Sequence, residues 1–133
     1  MTSIILKGQA GQGIQLLSQV LAKILADNGY EVAVTGRYSA FARAEESQAT
    51  VVFSDKKIEN PLVEEADVTY DLGDRNLLAE LTKGDIEAPA NMVLLGRIIT
   101  SNKLKATPQT LTRYLPRAHL KENLAAFKKG LTL

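Results

Sequence analysis

The chain has 133 residues, of which 45% are apolar and 23% charged, and its net charge is +1. This size and composition fit one folded domain over residues 1–133 and disfavour disorder. The absence of cysteine and tryptophan and the single histidine exclude disulfides, iron–sulfur ligation, zinc sites within one chain and base-stacking platforms. The small net charge argues against a protein that binds nucleic acid. No apolar run reaches the roughly 18 residues of a membrane span, and the N-terminus is unlike a signal peptide, so we expect a cytoplasmic protein without a membrane partner.

The first 35 residues predict a strand, a glycine loop, a helix and a second strand. Residues 4–6 are a short apolar run, and residues 14–25 repeat apolar side chains at helical spacing. Asn28 and Gly29 then tolerate the left-handed backbone that ends a helix. Residues 31–35 read as the second strand. This order is a βαβ unit, whose crossover makes the two strands parallel.

The middle of the chain predicts further strands around an irregular segment. Residues 36–46 show no clean period and are interpreted as a functional or contact loop. Residues 47–53 predict the third strand, and Ile58 is expected to begin a short return strand. Residues 67–72 alternate as a further strand does, and residues 76–81 predict a short helix.

The C-terminal third predicts helices. Residues 91–102 suggest a helix buried on nearly all sides, and Thr107 followed by Pro108 is typical of a helix start. Residues 120–129 form an amphipathic helix that we expect to stop at Gly130. The fold class predicted from these elements is a three-layer α/β/α domain with a mostly parallel sheet, a Rossmann-like βαβ start and a helical C-terminus.

The segment after the first strand carries the best local signal for a ligand. Gly8, Gly11 and Gly13 follow the pattern G-x-x-G-x-G and precede a helix. Backbone N–H groups at a helix start favour a phosphate or carboxylate. The spacing differs from the dinucleotide fingerprint G-x-G-x-x-G, and no Gly-Lys-Ser/Thr follows. The alternative is that the glycines only allow a tight turn and a close approach of helix to sheet.

Two arginines flank the middle loop. Arg37 and Arg43 could clamp an anionic ligand beside the end of the second strand. They could equally pair with Glu45 and Glu46 as an ordinary surface. No Ser-His-Asp arrangement and no cation-binding loop is readable, so the sequence assigns no catalytic residue and no metal ligand.

Several motifs in a fixed order resemble one family. They are a glycine loop GxxGQG, a Tyr-Ser pair with a following Arg, a strand that begins Ser-x-x, a helix that opens Asn-Met-Val, and a final Asn-Leu-x-Ala-Phe-x-x-Gly. Here these are residues 8–13, Tyr38 and Ser39 with Arg43, residues 47–50, residues 91–96 and residues 123–130. The pattern spans nearly the whole chain and resembles the gamma subunit or gamma domain of the 2-oxoacid:ferredoxin oxidoreductases, which include the pyruvate, 2-oxoglutarate, branched-chain and indolepyruvate enzymes.

The resemblance implies an activity for a whole complex. Such an enzyme decarboxylates a 2-oxoacid on thiamine diphosphate, passes electrons through iron–sulfur clusters to ferredoxin and usually releases an acyl-CoA. Thiamine diphosphate, magnesium and the clusters would be held by partner subunits, namely alpha, beta and a ferredoxin-like delta. This chain would contribute to assembly without being catalytic by itself, and coenzyme A is its candidate ligand. A homodimer of the isolated chain is also considered.

The resemblance also names cofactor-facing residues. They are Gly8, Gly11, Gln12 and Gly13 in the glycine loop, together with Tyr38, Ser39 and Arg43 in the middle loop.

Two departures from the family pattern stand out. Arg43-Ala44-Glu45 replaces the usual Arg-Gly-Gly, and a strand–helix–strand stretch is shortened to residues 82–89. Two rival interpretations follow: a stand-alone anion- or nucleotide-binding module that no longer joins the complex, and a purely structural assembly protein.

Overall fold

The computed structural model describes residues 1–37, 46–63, 65–83 and 88–133. Their contacts divide the chain into two compact units, Met1–Gly73 and Asp74–Leu133. In these described ranges, the first unit holds the sheet and one helix, and the second is helical. The single domain expected over residues 1–133 stays a prediction.

The first unit follows the predicted order of elements. It consists of β1 (Thr2–Gln9), α1 (Ile14–Asp27), β2 (Glu31–Arg37), β3 (Glu46–Ser54) and β4 (Val68–Asp71). The four strands form one sheet in the order β2-β3-β1-β4. The strand, loop, helix and strand expected at the start of the chain are therefore confirmed.

The strand directions correct one part of the predicted fold. The α/β class is confirmed, but the sheet is mixed: β1 runs parallel to β4, whereas β3 runs antiparallel to both β1 and β2. The strands β1 and β2 point the same way, as a βαβ unit requires, with β3 between them. The mostly parallel sheet was wrong because only residues 38–45 separate β2 from β3, fewer than the dozen or so that a parallel crossover needs.

The helix α1 covers one face of the sheet with an apolar stripe. Its buried residues recur at helical spacing. They are Ile14, Leu17, Ser18, Val20, Leu21, Ile24 and Leu25. Alternate strand residues such as Ile4, Leu6, Ala49 and Val51 are equally buried, so this face of the sheet and α1 form the core of the first unit.

The ends of the first unit's elements show how local chemistry sets their limits. Asn28 caps α1 as predicted, its Nδ2 donating to the carbonyl of Ile24 at 2.7 Å, and Gly29 follows at φ 88°. The return strand expected at Ile58 is wrong, since that residue is not in a strand. Instead the backbone N–H of Leu62 donates to Oδ1 of Asn60 at 3.1 Å in a local turn.

The described residues of the second unit form four helices: α2 (Arg75–Leu81), α3 (Ala90–Ser101), α4 (Pro108–Tyr114) and α5 (Leu120–Leu131). The predicted start of α4 is confirmed, because Thr107 and Thr110 form a reciprocal capping box. The expected burial of the helix α3 is confirmed as well, with seven of its residues buried. No helix in the described ranges is both long and apolar enough to span a membrane.

The helices α3 and α5 touch through two glycines. A Cβ added at Gly130 would collide with the backbone carbonyl of Val93 and lie 3.0 Å from Cα of Gly96, and a Cβ at Gly96 would lie 2.8 Å from the backbone nitrogen of Leu131. The expected stop at Gly130 is therefore wrong: α5 continues through it to Leu131. This glycine permits close approach between helices and does not terminate one.

Candidate functional site

Three strands end and one begins at the same end of the sheet, which we call the loop end. Gln9, the last residue of β1, pairs with Glu46, the first of β3, and Arg37, the last of β2, pairs with Gln48. The strand β4 also ends here, with Asp71 beside Lys7. Ligand sites in α/β proteins favour the carboxyl ends of such strands. The glycine loop and both ends of the irregular middle segment therefore converge at one place.

The three glycines of the loop serve two different physical needs. Gly11 and Gly13 have φ of 87° and 73°, in the left-handed region that favours glycine. Gly8 needs space instead, because an added Cβ would lie 2.8 Å from Oε1 of Gln12 and 3.0 Å from the side chain of Ile14. The structure thus shows tight turning and close helix–sheet approach at these glycines, and the role of Gly8, Gly11 and Gly13 towards a ligand stays a prediction.

Gln12 ties the glycine loop to two strands. The backbone N–H of Gln9 donates to its Oε1 at 2.6 Å, and its Nε2 donates to the carbonyl of Leu72 at 2.9 Å. Each polar atom of the amide therefore has a partner in the chain, one at the end of β1 and one just after β4. Sequence reasoning missed this brace because Leu72 is sixty residues distant in the chain. The role of Gln12 towards a cofactor stays a prediction.

A cavity of about 360 Å³ lies beside the glycine loop's end of the sheet, on β2 and β3. Its lining residues are Thr35, Gly36, Arg37, Gln48 and Thr50. Thr35 pairs with Thr50 and Arg37 with Gln48, so each pair projects from one face of the sheet. A guanidinium, a carboxamide and two hydroxyls are hydrogen-bond donors, and no carboxylate is among these lining residues. This arrangement suits the oxygen atoms of an anion.

The charges next to this cavity bear on the two interpretations of Arg37 only in part. Glu46 pairs with Lys7 at 3.9 Å, and the two side chains are 50% and 34% exposed, so this ion pair adds little stability. Within the described ranges, no carboxylate pairs with Arg37. Whether Arg37 pairs with Glu45 stays open, because Glu45 lies outside the described part of the chain.

The middle-loop residues predicted to face a cofactor are not among those that the structure describes. Tyr38, Ser39 and Arg43 lie outside the described residues, and so does the Ala44 departure. The structure thus brings together Gly8, Gly11, Gln12 and Gly13 at the loop end. It places Arg37 with three residues that were not predicted, Thr35, Gln48 and Thr50, on one face of β2 and β3. The signal for these additions was the β2–β3 pairing, which places separate polar residues side by side. Among the described residues, no cluster of acidic or histidine side chains could hold a metal ion.

Comparison with family models identifies the family of this chain. Residues 3–87 match the model of the family described as pyruvate ferredoxin/flavodoxin oxidoreductase. No match was found among curated proteins.

Solved structures resemble the whole chain. The gamma subunit of a keto/oxoacid ferredoxin oxidoreductase from Geobacter sulfurreducens has a TM-score of 0.66 at 18% identity, covering 99% of this chain and 97% of that one. A pyruvate oxidoreductase subunit from Thermotoga maritima gives 0.61 at 17% identity, covering 98% and 95%. The 2-oxoglutarate:ferredoxin oxidoreductase of Magnetococcus marinus, solved with 2-oxoglutarate, coenzyme A and succinyl-CoA bound, gives 0.66 at 17% identity. The match covers 98% of this chain and 30% of the Magnetococcus marinus chain.

At these identities the structural likeness establishes a shared fold, and the family match rests on the sequence itself. That match takes in the glycine loop, the strands β1 to β4 and the cavity residues. The chain therefore belongs to the pyruvate ferredoxin/flavodoxin oxidoreductase family.

Proposed function

We propose that this chain is the gamma subunit of a 2-oxoacid:ferredoxin oxidoreductase complex. The observation that carries the proposal is the likeness to a gamma subunit over nearly the full length of both chains. The catalytic cofactors, thiamine diphosphate with magnesium and the iron–sulfur clusters, would be held by alpha, beta and delta subunits. This chain has no cysteine to ligate a cluster. Its own part would be assembly and coenzyme A binding.

The donor set at the loop end fits coenzyme A as a ligand. Coenzyme A carries several phosphate oxygens, and Arg37 with Thr35, Thr50 and Gln48 supplies donors on one face of the sheet. The thiol of coenzyme A would accept the acyl group in the complex. Arg43 would add a second cation in the proposal. The residues present are therefore chemically suited to hold the phosphate portion, whereas no residue of this chain is assigned to the decarboxylation.

Complex membership can be tested by depletion and add-back in the native, anaerobically prepared extract. The tagged chain should capture larger chains that contain thiamine diphosphate and iron–sulfur clusters. Removing the chain should lower ferredoxin reduction with one member of a 2-oxoacid panel, and adding the pure chain back should restore it. The proposal would be contradicted if the folded chain is recovered by itself and its depletion leaves ferredoxin reduction unchanged with every 2-oxoacid of the panel.

Coenzyme A binding needs a separate test, since a subunit can assemble without holding the ligand. Calorimetric titration of the chain with coenzyme A should give a heat signal that weakens at least tenfold in Arg37→Ala and in Arg43→Ala. Lys57→Ala is the matched control, because this exposed lysine follows β3 at the opposite end of the sheet. Equal affinities in all four proteins would remove coenzyme A from the proposal.

The departure from the family pattern at Ala44 and Glu45 allows a sharper test of coenzyme A binding. The double change Ala44→Gly with Glu45→Gly restores the family's usual Arg-Gly-Gly. Tighter coenzyme A binding in this variant would weaken the purely structural interpretation. Unchanged or poorer assembly with no binding would support that interpretation over ours.

A stand-alone anion- or nucleotide-binding module is the second candidate. The cavity favours it, because its donors need no partner subunit. It predicts that ATP, coenzyme A or inorganic phosphate binds the isolated chain and protects it from heat, and that Arg37→Ala abolishes this protection. The module and the subunit differ in the depletion experiment, where the module predicts no loss of 2-oxoacid oxidation.

A further inference from the structure

We propose that the outer edge of β2 pairs antiparallel with β2 of a second copy of this chain, about a twofold axis at Val34. The proposal names an interaction surface and its occupant. It does not rest on the function proposed above, because it concerns the isolated chain and uses the geometry of one strand.

The first argument is that β2 is an edge strand with an open side. It stands at one end of the sheet order, and its partner in the sheet is β3. Within the described ranges, no strand pairs with its other side. Five of its seven residues are exposed, and Val34 is 39% exposed. The strand contains neither lysine nor proline, the residues that commonly protect sheet edges.

The second argument is the self-complementary sequence of the strand. A twofold antiparallel pairing over all seven residues places Val34 opposite Val34 and Ala33 opposite Thr35. In the same register Glu31 of each copy lies opposite Arg37 of the other. The symmetry makes this charge pair twice, once at each end of the new ladder. An exposed apolar residue therefore sits at the centre, and opposite charges sit at both ends.

The third argument is that other registers lose this complementarity. Moving the axis to Ala33 puts Glu31 opposite Thr35, and moving it to Thr35 puts Arg37 opposite Ala33. Both registers also shorten the ladder. The sequence thus selects one pairing among those that keep side chains on their proper faces. Because one strand edge is a small interface, we expect a weak dimer that forms as the concentration rises.

Charge exchange gives a direct experiment on the full chain. Sedimentation equilibrium from about 10 μM to about 1 mM should show reversible dimerisation of the wild type. Glu31→Arg and Arg37→Glu each place like charges opposite one another and should weaken the dimer at least tenfold. The double variant Glu31→Arg with Arg37→Glu restores opposite charges and should recover the wild-type constant.

Mixing the two single variants adds an internal check. In the mixed dimer, both arginines of the Glu31→Arg chain lie opposite glutamates of the Arg37→Glu chain, so no like charges face each other. The mixture should therefore dimerise more tightly than either variant does by itself. Lys57→Glu is the control for a change of charge away from β2 and should dimerise as the wild type does. Circular dichroism confirms that each variant is folded before it is compared.

Four results would overturn the proposal. The first is a wild-type chain that stays monomeric up to about 1 mM. The second is a dimer that the charge exchange does not weaken. The third is weakening by both single variants with no recovery in the double variant or the mixture, which would assign their effect to another surface. The fourth is a β2 strand whose backbone amides are protected from hydrogen exchange only when another subunit is bound, and not in the isolated chain at any concentration.

Discussion

Two glycines of the first unit and two of the second are needed for opposite reasons. In the first unit, Gly11 and Gly13 adopt a backbone conformation that other residues rarely take, and open space surrounds Gly11. In the second unit, Gly96 and Gly130 lie in ordinary helices, and what they supply is the absence of a side chain between two backbones. The comparison teaches that a glycine's role follows from what surrounds it, and that the same motif element can serve a loop or a helix contact.

Side-chain hydrogen bonds join distant segments in both units. In the first unit, Asp67 Oδ2 accepts from the backbone N–H of Ser3 at 2.8 Å, and Ser3 Oγ accepts from the backbone N–H of Asp67 at 3.0 Å. In the second unit, the hydroxyl of Thr100 in α3 donates to the carbonyl of Leu131 in α5 at 3.2 Å, and Phe127 and Met92 of the same two helices are fully buried. The residues proposed to meet a ligand belong to the first unit, where polar groups already organise the loop end.

The largest expected effect comes from filling the glycine contact of the second unit. Gly130→Ala should lower the free energy of unfolding by about 3 kcal/mol, since the new Cβ meets a backbone carbonyl that cannot rotate away. Urea denaturation measures this change. Gly29→Ala is the control, because no atom lies within 4 Å of the added Cβ and only its φ of 88° is strained. If the Gly130→Ala protein is as stable as the wild type, the contact between α3 and α5 does not require a residue without a side chain at this position.

The second largest effect should come from removing the two hydrogen bonds of the Gln12 side chain in the first unit. Gln12→Ala removes two hydrogen bonds and leaves the carbonyl of Leu72 without this donor, so we expect a loss of about 2 kcal/mol. Gln19→Ala, at an exposed position of α1, removes the same amide without those partners and should change stability by less than about 0.5 kcal/mol. If the two changes lower the free energy of unfolding equally, the hydrogen bonds of Gln12 add no stability to the fold.

A smaller loss should follow from changing a glycine that needs only its dihedral angle. Gly11→Ala should cost about 1 kcal/mol, because an alanine at φ 87° is strained even with open space around it. Gly11→Asn should cost less, as asparagine tolerates the left-handed region better. Thermal unfolding of both variants distinguishes this cause from a steric one, for which the larger asparagine would be the worse substitution.

The smallest effect should be at the start of α4. Thr107→Ala removes a capping box whose hydrogen bonds are long, at 3.3 and 3.4 Å, so we expect a loss of only about 0.5 kcal/mol. Thr107→Ser keeps the hydroxyl and should remain close to the wild type. A loss in the serine variant as large as in the alanine variant would mean that the threonine methyl group, and not the cap, stabilises this helix.

Local sequence signals predicted the elements of both units well. The apolar spacing of α1, its end at Asn28 and the start of α4 at Thr107 all depend on residues within a few positions of one another. The same holds for the strands β1 and β3, whose centres are short apolar runs. Such features need no knowledge of the rest of the chain, which is why a single sequence suffices for them.

The features that were missed depend on distant residues. The short connection after β2 indicates that β3 is antiparallel to it, but that β3 lies between β2 and β1 depends on a pairing with a distant strand. Gly130 has the local appearance of a helix end, but its role depends on Val93 in another helix. The cavity likewise needed the pairing of Arg37 with Gln48. Of the candidate site, the glycine loop was predictable from spacing, while its neighbours required the sheet.

The Gln12 side chain has a consequence for the motion of the loop end. Because one amide bonds to the end of β1 and to the residue after β4, the glycine loop cannot open without disturbing β4. The two should therefore open as one cooperative unit, with the backbone amides of Gln9 and of β4 exchanging with solvent deuterium at similar rates. A ligand that orders the loop would then slow exchange in a strand that it never touches.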